Sequence, residues 1–302
     1  MARPPGSKNM IRFLDRKRIP TSRHTDVSYY PSSKNPLTVY QGQLSNARNF
    51  LLWLDKTQEA LRSTISDLNV YLEANNVTSR RGPKGATSGK YKWYSQQLTL
   101  LESINGFESF VKQSLIVLTD LIAQFLKHTR FNGTVDVSRL IESSTPVSVG
   151  KLLWEDQLFH HPDSIDDATN KLIGAKLYTI NRMTEENYPR GRALLCAFQI
   201  RHTLSHNCGY VTQSDMMKFR HIRFQVDQDQ LIDPSKDQLG EAVLQFLERE
   251  AELFNAFLIL ETANSLNRIL RSNGESIPWS KRRDFEILLG RSSNWDNLPW
   301  AQ

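Results

Sequence analysis

"ALLCAFQIRHTLSHNCG", residues 193–209, places an arginine and two histidines on the last turns of a segment otherwise built of Ala, Leu, Phe and Ile. At 100° per residue, Ala193, Leu194, Ala197, Ile200, Leu204 and Cys208 share an arc of about 120° that predicts a core-facing helix. Arg201 sits at the edge of that arc. His202 and His206 are four apart and so stack on one side, with Phe198 and Leu195 beside them, on a second, partly apolar surface. Pro189 precedes the run and Gly209 stops it, as helix boundaries require. Three such groups on a packed helix must each be desolvated and then hydrogen-bonded. They are either scattered surface residues or a site.

The spacing on both sides is helical as well. Downstream, a helix is expected near 237–271, after the turn and capping residues of "DPSKD". Upstream, one is expected near 164–186, and the motif helix itself near 190–208. Leu51, Leu54, Leu61, Ile65, Leu68 and Leu72 form one heptad stripe. Leu101, Ile104, Val111, Leu115, Leu118, Ile122 and Phe125 form another, and the loop at 78–90 joins the two. Together they read as an antiparallel helical hairpin serving core packing. Residues 130–150, with Gly, Pro and several Ser/Thr, read as the domain boundary. Residues 210–232 mix β-branched and aromatic types and are expected to hold a short irregular or β segment. The fold class is therefore all-α, in four parts: a basic flexible arm (1–35), the hairpin (36–130), a helical domain (135–272) and a tryptophan-containing tail (273–302). Three of the six tryptophans, Trp279, Trp295 and Trp300, lie in the tail and are expected mainly to cover the protein's own core.

Charge is concentrated in the arm. Residues 1–34 carry eight Lys/Arg against Asp15 and Asp26, which accounts for the whole net charge of +6. A basic arm on a neutral body reads either as a solubilising tail or as a contact with polyanion through Arg3, Lys8, Arg12, Arg16, Lys17 and Arg18. "ARPPGSKN", residues 2–9, resembles the second half of an AT-hook, keeping Arg3-Pro4 of its core, which implies a weak DNA contact through the arm. No apolar run reaches the roughly 18 residues of a membrane span, and the first residues do not read as a secretory signal. Cys196 and Cys208 would stand about 18 Å apart along one helix, too far for a disulfide. A reducing, cytoplasmic setting without membrane contact is expected.

Three chemical readings of residues 201–206 compete. His202 and His206 have HxxxH spacing, but Thr203 stands where a zinc peptidase needs glutamate; no third ligand is evident from spacing, though His160 and His161 could approach in space. A structural reading has the histidines bonding neighbouring helices. The third is phosphate chemistry, in which Arg201 supplies a two-pronged donor and histidine a group titrating near neutrality.

The third reading meets a resemblance. Arg201, a polar His202, three more residues, His206 and then Asn207 and Gly209 resemble the Rx4–6H signature of the HEPN superfamily, with its HN-x-Gly continuation. The likeness spans roughly residues 135–271. It implies an all-helical, metal-independent endoribonuclease of the toxin–antitoxin or antiphage kind, working as a homodimer on an RNA substrate with no cofactor and no metal. His206 would move protons of the 2′-hydroxyl or the leaving 5′-oxygen, Arg201 would hold the phosphate, His202 would orient or share the proton work, and Asn207 would be a supporting donor. An antitoxin or regulatory partner is implied too. Some members carry a tyrosine two residues after the histidine for silencing by adenylylation; here that position is Cys208, so that route is not expected. The rival class is a non-catalytic helical module that binds RNA, a nucleotide or DNA.

Overall fold

The computed structural model describes residues 35–74, 85–125, 148–178 and 188–301. The chain is all-α, and eight helices are found among these residues. Helix α1 spans Pro36–Ala74 and α2 spans Gly85–Ile122. Short α3, Val149–Trp154, is followed by α4, Pro162–Ile173. The motif lies on α5, Tyr188–His206, followed by α6, Gln213–His221, and the long α7, Leu239–Asn273. A final α8, Arg282–Leu288, sits between two-residue strands β1, Ile277–Pro278, and β2, Trp300–Ala301, which pair in parallel.

Each start has a local cause. The Asn35 side chain accepts from the Leu37 backbone N–H at 2.8 Å, and Pro36 fills the first helical position, where no N–H is needed. His161 caps α4 in the same way, its Nδ1 accepting from the Asp163 N–H at 3.2 Å ahead of Pro162. Helix α4 is shorter than the 164–186 expected. Gly174 takes a left-handed φ of 75°, and the buried Asp166 carboxylate then accepts the N–H groups of Leu177 and Tyr178 at 2.8 and 2.9 Å. Those bonds turn the chain where periodicity alone would continue it. "DPSKD" supplies the turn before α7, Asp233 accepting from Ser235, but no side chain caps that helix.

Residues 210–232 hold the irregular and extended stretches expected, with one isolated antiparallel bridge, Tyr210 with Leu231; what composition did not suggest is α6 in their middle. The reason is a reciprocal cap: Thr212 Oγ1 accepts from the Asp215 N–H, and the Asp215 carboxylate accepts from the Thr212 N–H, both at 3.2 Å.

Packing joins these parts through one continuous apolar core. Tyr40 stacks on Phe110 with ring centroids 5.5 Å apart, Phe110 meets Phe254 of α7 edge-on at 5.9 Å, and Phe107 meets Phe198 of α5 at 6.5 Å. These contacts set the hairpin directly against the motif helix. On α2 the heptad positions Ile104, Val111, Leu115, Leu118 and Ile122 are all buried. Among the described side chains of α1 the buried ones are instead Pro36, Val39, Tyr40 and Leu44 in its first turns, whereas Phe50, Leu52 and Trp53 are exposed. The side chains of Leu61, Ile65, Leu68 and Leu72 lie outside the described residues, as do the arm residues Arg3, Lys8, Arg12, Arg16, Lys17 and Arg18 and most of the 130–150 segment. Helix α3 approaches α2 so closely that a Cβ on Gly150 would fall 2.2 Å from the Ile116 carbonyl oxygen, which only glycine tolerates. The tail folds back onto α7, with Trp295 buried and its indole donating to the Gly290 carbonyl at 2.9 Å. Trp279 stays over half exposed, with Arg282 resting on its face.

Candidate functional site

Helix α5 has two working faces. Leu194, Ala197 and Ile200 are buried in the core as their arc requires. On the other side Tyr188, Arg192, Leu195, Gln199, His202 and His206 recur every three or four residues and form the floor of a cleft of about 840 Å³. One wall is α6, which contributes Met217, Lys218 and His221. The other is the chain entering α4, with His160, His161 and Asp163. Five of the chain's seven histidines line this cleft. Beside them stand Arg192, Arg201 and Lys218, and Asp163 is the single acidic lining residue. The lining is therefore built to face negative charge.

Arg201, His202 and His206 all reach this cleft. The imidazoles of His202 and His206 lie with centroids 4.7 Å apart and planes tilted by 47°. His206 is exposed. Arg201 is held from behind by α2: its Nε donates to Asn105 Oδ1, and an Nη lies 3.8 Å from Glu108. Glu108 is well buried, accepts the Phe159 N–H at 3.0 Å and stands 3.9 Å from His160 Nδ1. The hairpin thus supplies two side chains to the motif arginine, and nothing in their local spacing marks them beforehand.

Asn207 is placed differently. It does not line the cleft; its amide donates to Asp215 at 2.7 Å. Asp215 is 1% exposed and is a hub. One oxygen accepts from Gln199 at 2.9 Å; the other accepts from Asn207, from the Thr212 hydroxyl at 2.8 Å and from the Thr212 N–H. Its Oδ1 stands 3.9 Å from His202 Nε2. Burial pushes the Asp215 carboxyl up, but the Thr212 and Asn207 donors and the His202 charge outweigh it and hold it below its ordinary value. It is a buried anion at neutral pH. His202 moves down: burial disfavours its charged form, Lys218 and His206 repel it, and Asp215 only partly compensates. His202 is thus biased to the neutral imidazole. The Thr-x-x-Asp spacing of Thr212 and Asp215 is the signal by which this hub could have been found.

The motif ends on two left-handed residues, Cys208 at φ 51° and Gly209 at φ 86°. The Gly209 N–H returns to the Thr203 carbonyl at 3.1 Å, and a Cβ there would strike the Gln97 amide at 2.8 Å. The left-handed φ is what calls for glycine here; the Gln97 amide is the end of a flexible side chain and can move aside. Both cysteines are free; burial pushes the Cys196 thiol up to about 12, whereas Cys208 is exposed. Among the described residues, no group of three or more His, Cys, Asp or Glu side chains is placed to hold a metal ion, and no helix is long and apolar enough to cross a membrane. Comparison with protein-family models, with curated proteins and with solved structures finds no match to this chain.

Proposed function

We propose that the chain is a HEPN-like, metal-independent endoribonuclease that cuts RNA by attack of a ribose 2′-hydroxyl on the adjacent phosphate. The observation that carries the reading is the convergence of Arg201, His202 and His206 in one cleft lined by cations and imidazoles with a single carboxylate. Phosphoryl oxygens need fixed positive donors, and the two proton movements need groups titrating near neutrality. In the proposed reaction His206 removes the 2′-hydroxyl proton, and the 2′-oxygen forms a bond to phosphorus. The bond to the 5′-oxygen breaks, and that oxygen takes a proton from the protonated imidazole of His206 of the partner subunit, so that one imidazole gains the proton the other gives up. Arg201 directs its Nη donors at the phosphate, its Nε being tied to Asn105 and one Nη lying 3.8 Å from Glu108. His202, neutral and backed by Asp215, orients or shares the proton transfer. In this reading two copies of the motif work across a homodimer, in a toxin–antitoxin or antiphage setting. The basic arm adds contacts to RNA, or weakly to DNA.

The test is chemical. Purified protein incubated with RNA should yield fragments ending in a 2′,3′-cyclic phosphate and beginning with a 5′-hydroxyl, at a rate that EDTA leaves unchanged. A 2′-deoxyribose at the cut site should block cleavage. Activity lost to EDTA and restored by a divalent ion, or products carrying 5′-phosphates, would overturn the mechanism and return His202 and His206 to the metal reading.

A second reading has its own observation. Because Asn105 and Glu108 already occupy part of the Arg201 guanidinium, the cleft could bind nucleic acid without turning it over. Tight RNA binding with no new ends in the same incubation would favour that reading.

A further inference from the structure

The cleft is longer than one phosphate requires. From Tyr188 to His206 its floor runs along the nineteen residues of a single helix, about 27 Å from first to last. Helix α6 runs antiparallel beside it. Asp215 at its start bonds Gln199 and Asn207 near the end of α5, and Ile222 just past its end accepts from Arg192 near the beginning. The two ends of this trough differ in chemistry. Toward the end of α5 lie His202, His206 and Arg201. Toward its beginning lie Tyr188, Arg192, Leu195 and Ile222, with His221 next to Ile222; Met217, at 58% exposure, and Lys218 stand on α6 between the two ends.

Arg192 is fixed there as a plane. One Nη donates to the Ile222 carbonyl, and the guanidinium carbon lies 5.4 Å from the centre of the Tyr188 ring. An aromatic ring beside a fixed guanidinium, flanked by aliphatic side chains and continuous with a cationic groove, matches what unpaired nucleotides need. Bases stack on flat faces without regard to sequence, while the backbone follows positive charge. A paired duplex keeps its bases stacked inside and would leave these apolar surfaces unused.

Resting on the RNA-binding reading of the cleft, we infer that its Tyr188 end is a nucleobase subsite, which takes an unpaired nucleotide flanking the phosphate held at Arg201 and His206. The site then reads several nucleotides of single strand. Its affinity should grow with strand length until Tyr188 is reached.

The test uses the full chain and 2′-O-methyl oligoadenylates of two and eight nucleotides, which bind but lack the attacking hydroxyl. The octamer should bind the wild-type protein more tightly than the dimer. Tyr188→Ala should weaken octamer binding about tenfold, as loss of a stacked base does, and leave dimer binding unchanged. Tyr188→Trp, which keeps a stacking face, should retain the octamer. Should Tyr188→Ala fail to fold, Tyr188→Leu, which keeps apolar bulk but has no ring, supplies the same comparison. Octamer affinity unaffected by loss of the ring, or an equal loss for dimer and octamer, would overturn the subsite while leaving the nuclease reading standing. If the length effect passes through Tyr188 yet unmodified RNA is never cut, the subsite stands and the nuclease reading falls. If neither oligomer binds while unmodified RNA is still cut, the subsite falls and the nuclease reading stands; if RNA is not cut either, both fall.

Discussion

Removing the charge of Asp215 without changing its shape, by Asp215→Asn, probes the site from beneath. Four donors converge on this buried carboxylate: the Gln199 and Asn207 amides, and the hydroxyl and N–H of Thr212. In the variant, the amide oxygen placed where Oδ2 was keeps the Asn207 and Thr212 bonds. The new NH2 then faces the Gln199 amide, donor against donor, until Gln199 turns over. The loss is about one charge-assisted hydrogen bond, which corresponds to roughly 2 kcal/mol. The sign with pH follows from the depressed carboxyl. Its contribution is fully present above the unfolded-state value of about 3.9 and is lost as pH falls through the lower folded value. Urea unfolding at pH 7 should therefore show the variant less stable by about that amount, and the gap should narrow at pH 3. A second readout isolates the site. Asp215 is the charge that supports the His202 imidazolium against burial, Lys218, His206 and Arg201, so the NMR titration of His202 should move further down in the variant. Equal unfolding midpoints at pH 7, a gap that persists unchanged at pH 3, or a His202 titration that stays put would refute the coupling.

His206→Ala should abolish RNA cleavage while the unfolding free energy stays within about 0.5 kcal/mol, since the exposed ring is off the core face; an unfolded variant would make the residue structural. Arg201→Lys should lower the cleavage rate by about a hundredfold, because an ammonium cannot keep the Asn105 bond and still offer two prongs to phosphate. Near-normal rates would show that charge alone, or nothing at this position, matters. Deleting residues 2–34 removes the whole net charge of +6. Long RNA should then bind more weakly with a shallower salt dependence, and short RNA should still be cut. An unchanged salt slope would remove the arm from the interface.

Much of the helical plan was legible in the residues themselves. The arc of Leu194, Ala197 and Ile200 and the stop at Gly209 locate α5 to within a residue or two, because burial period and helix termination are both local properties. The α2 stripe, from Ile104 to Ile122, is buried for the same reason. So is the pairing of His202 with His206, which follows from a spacing of four. Elements governed by a side chain reaching across a turn were harder to read. Helix α4 ends early because Asp166 captures the N–H groups of Leu177 and Tyr178, and α6 exists because Thr212 and Asp215 cap each other. In each case one polar residue overrides the composition of its neighbours.

What only the tertiary structure decided is the company the motif keeps. Asn105 and Glu108 stand almost a hundred positions before Arg201 and meet it only because Phe107, between them in sequence, packs against Phe198 of α5. His160 and His161 enter the cleft because Glu108 binds the Phe159 N–H and His161 caps α4. Asn207 reads in sequence as a donor toward the site, yet it faces Asp215, since the left-handed turn at Cys208 and Gly209 brings the Thr212 cap beneath it. Periodicity specifies which face a residue occupies. Which other face it meets depends on how the core packs, and for Arg201 that face is α2.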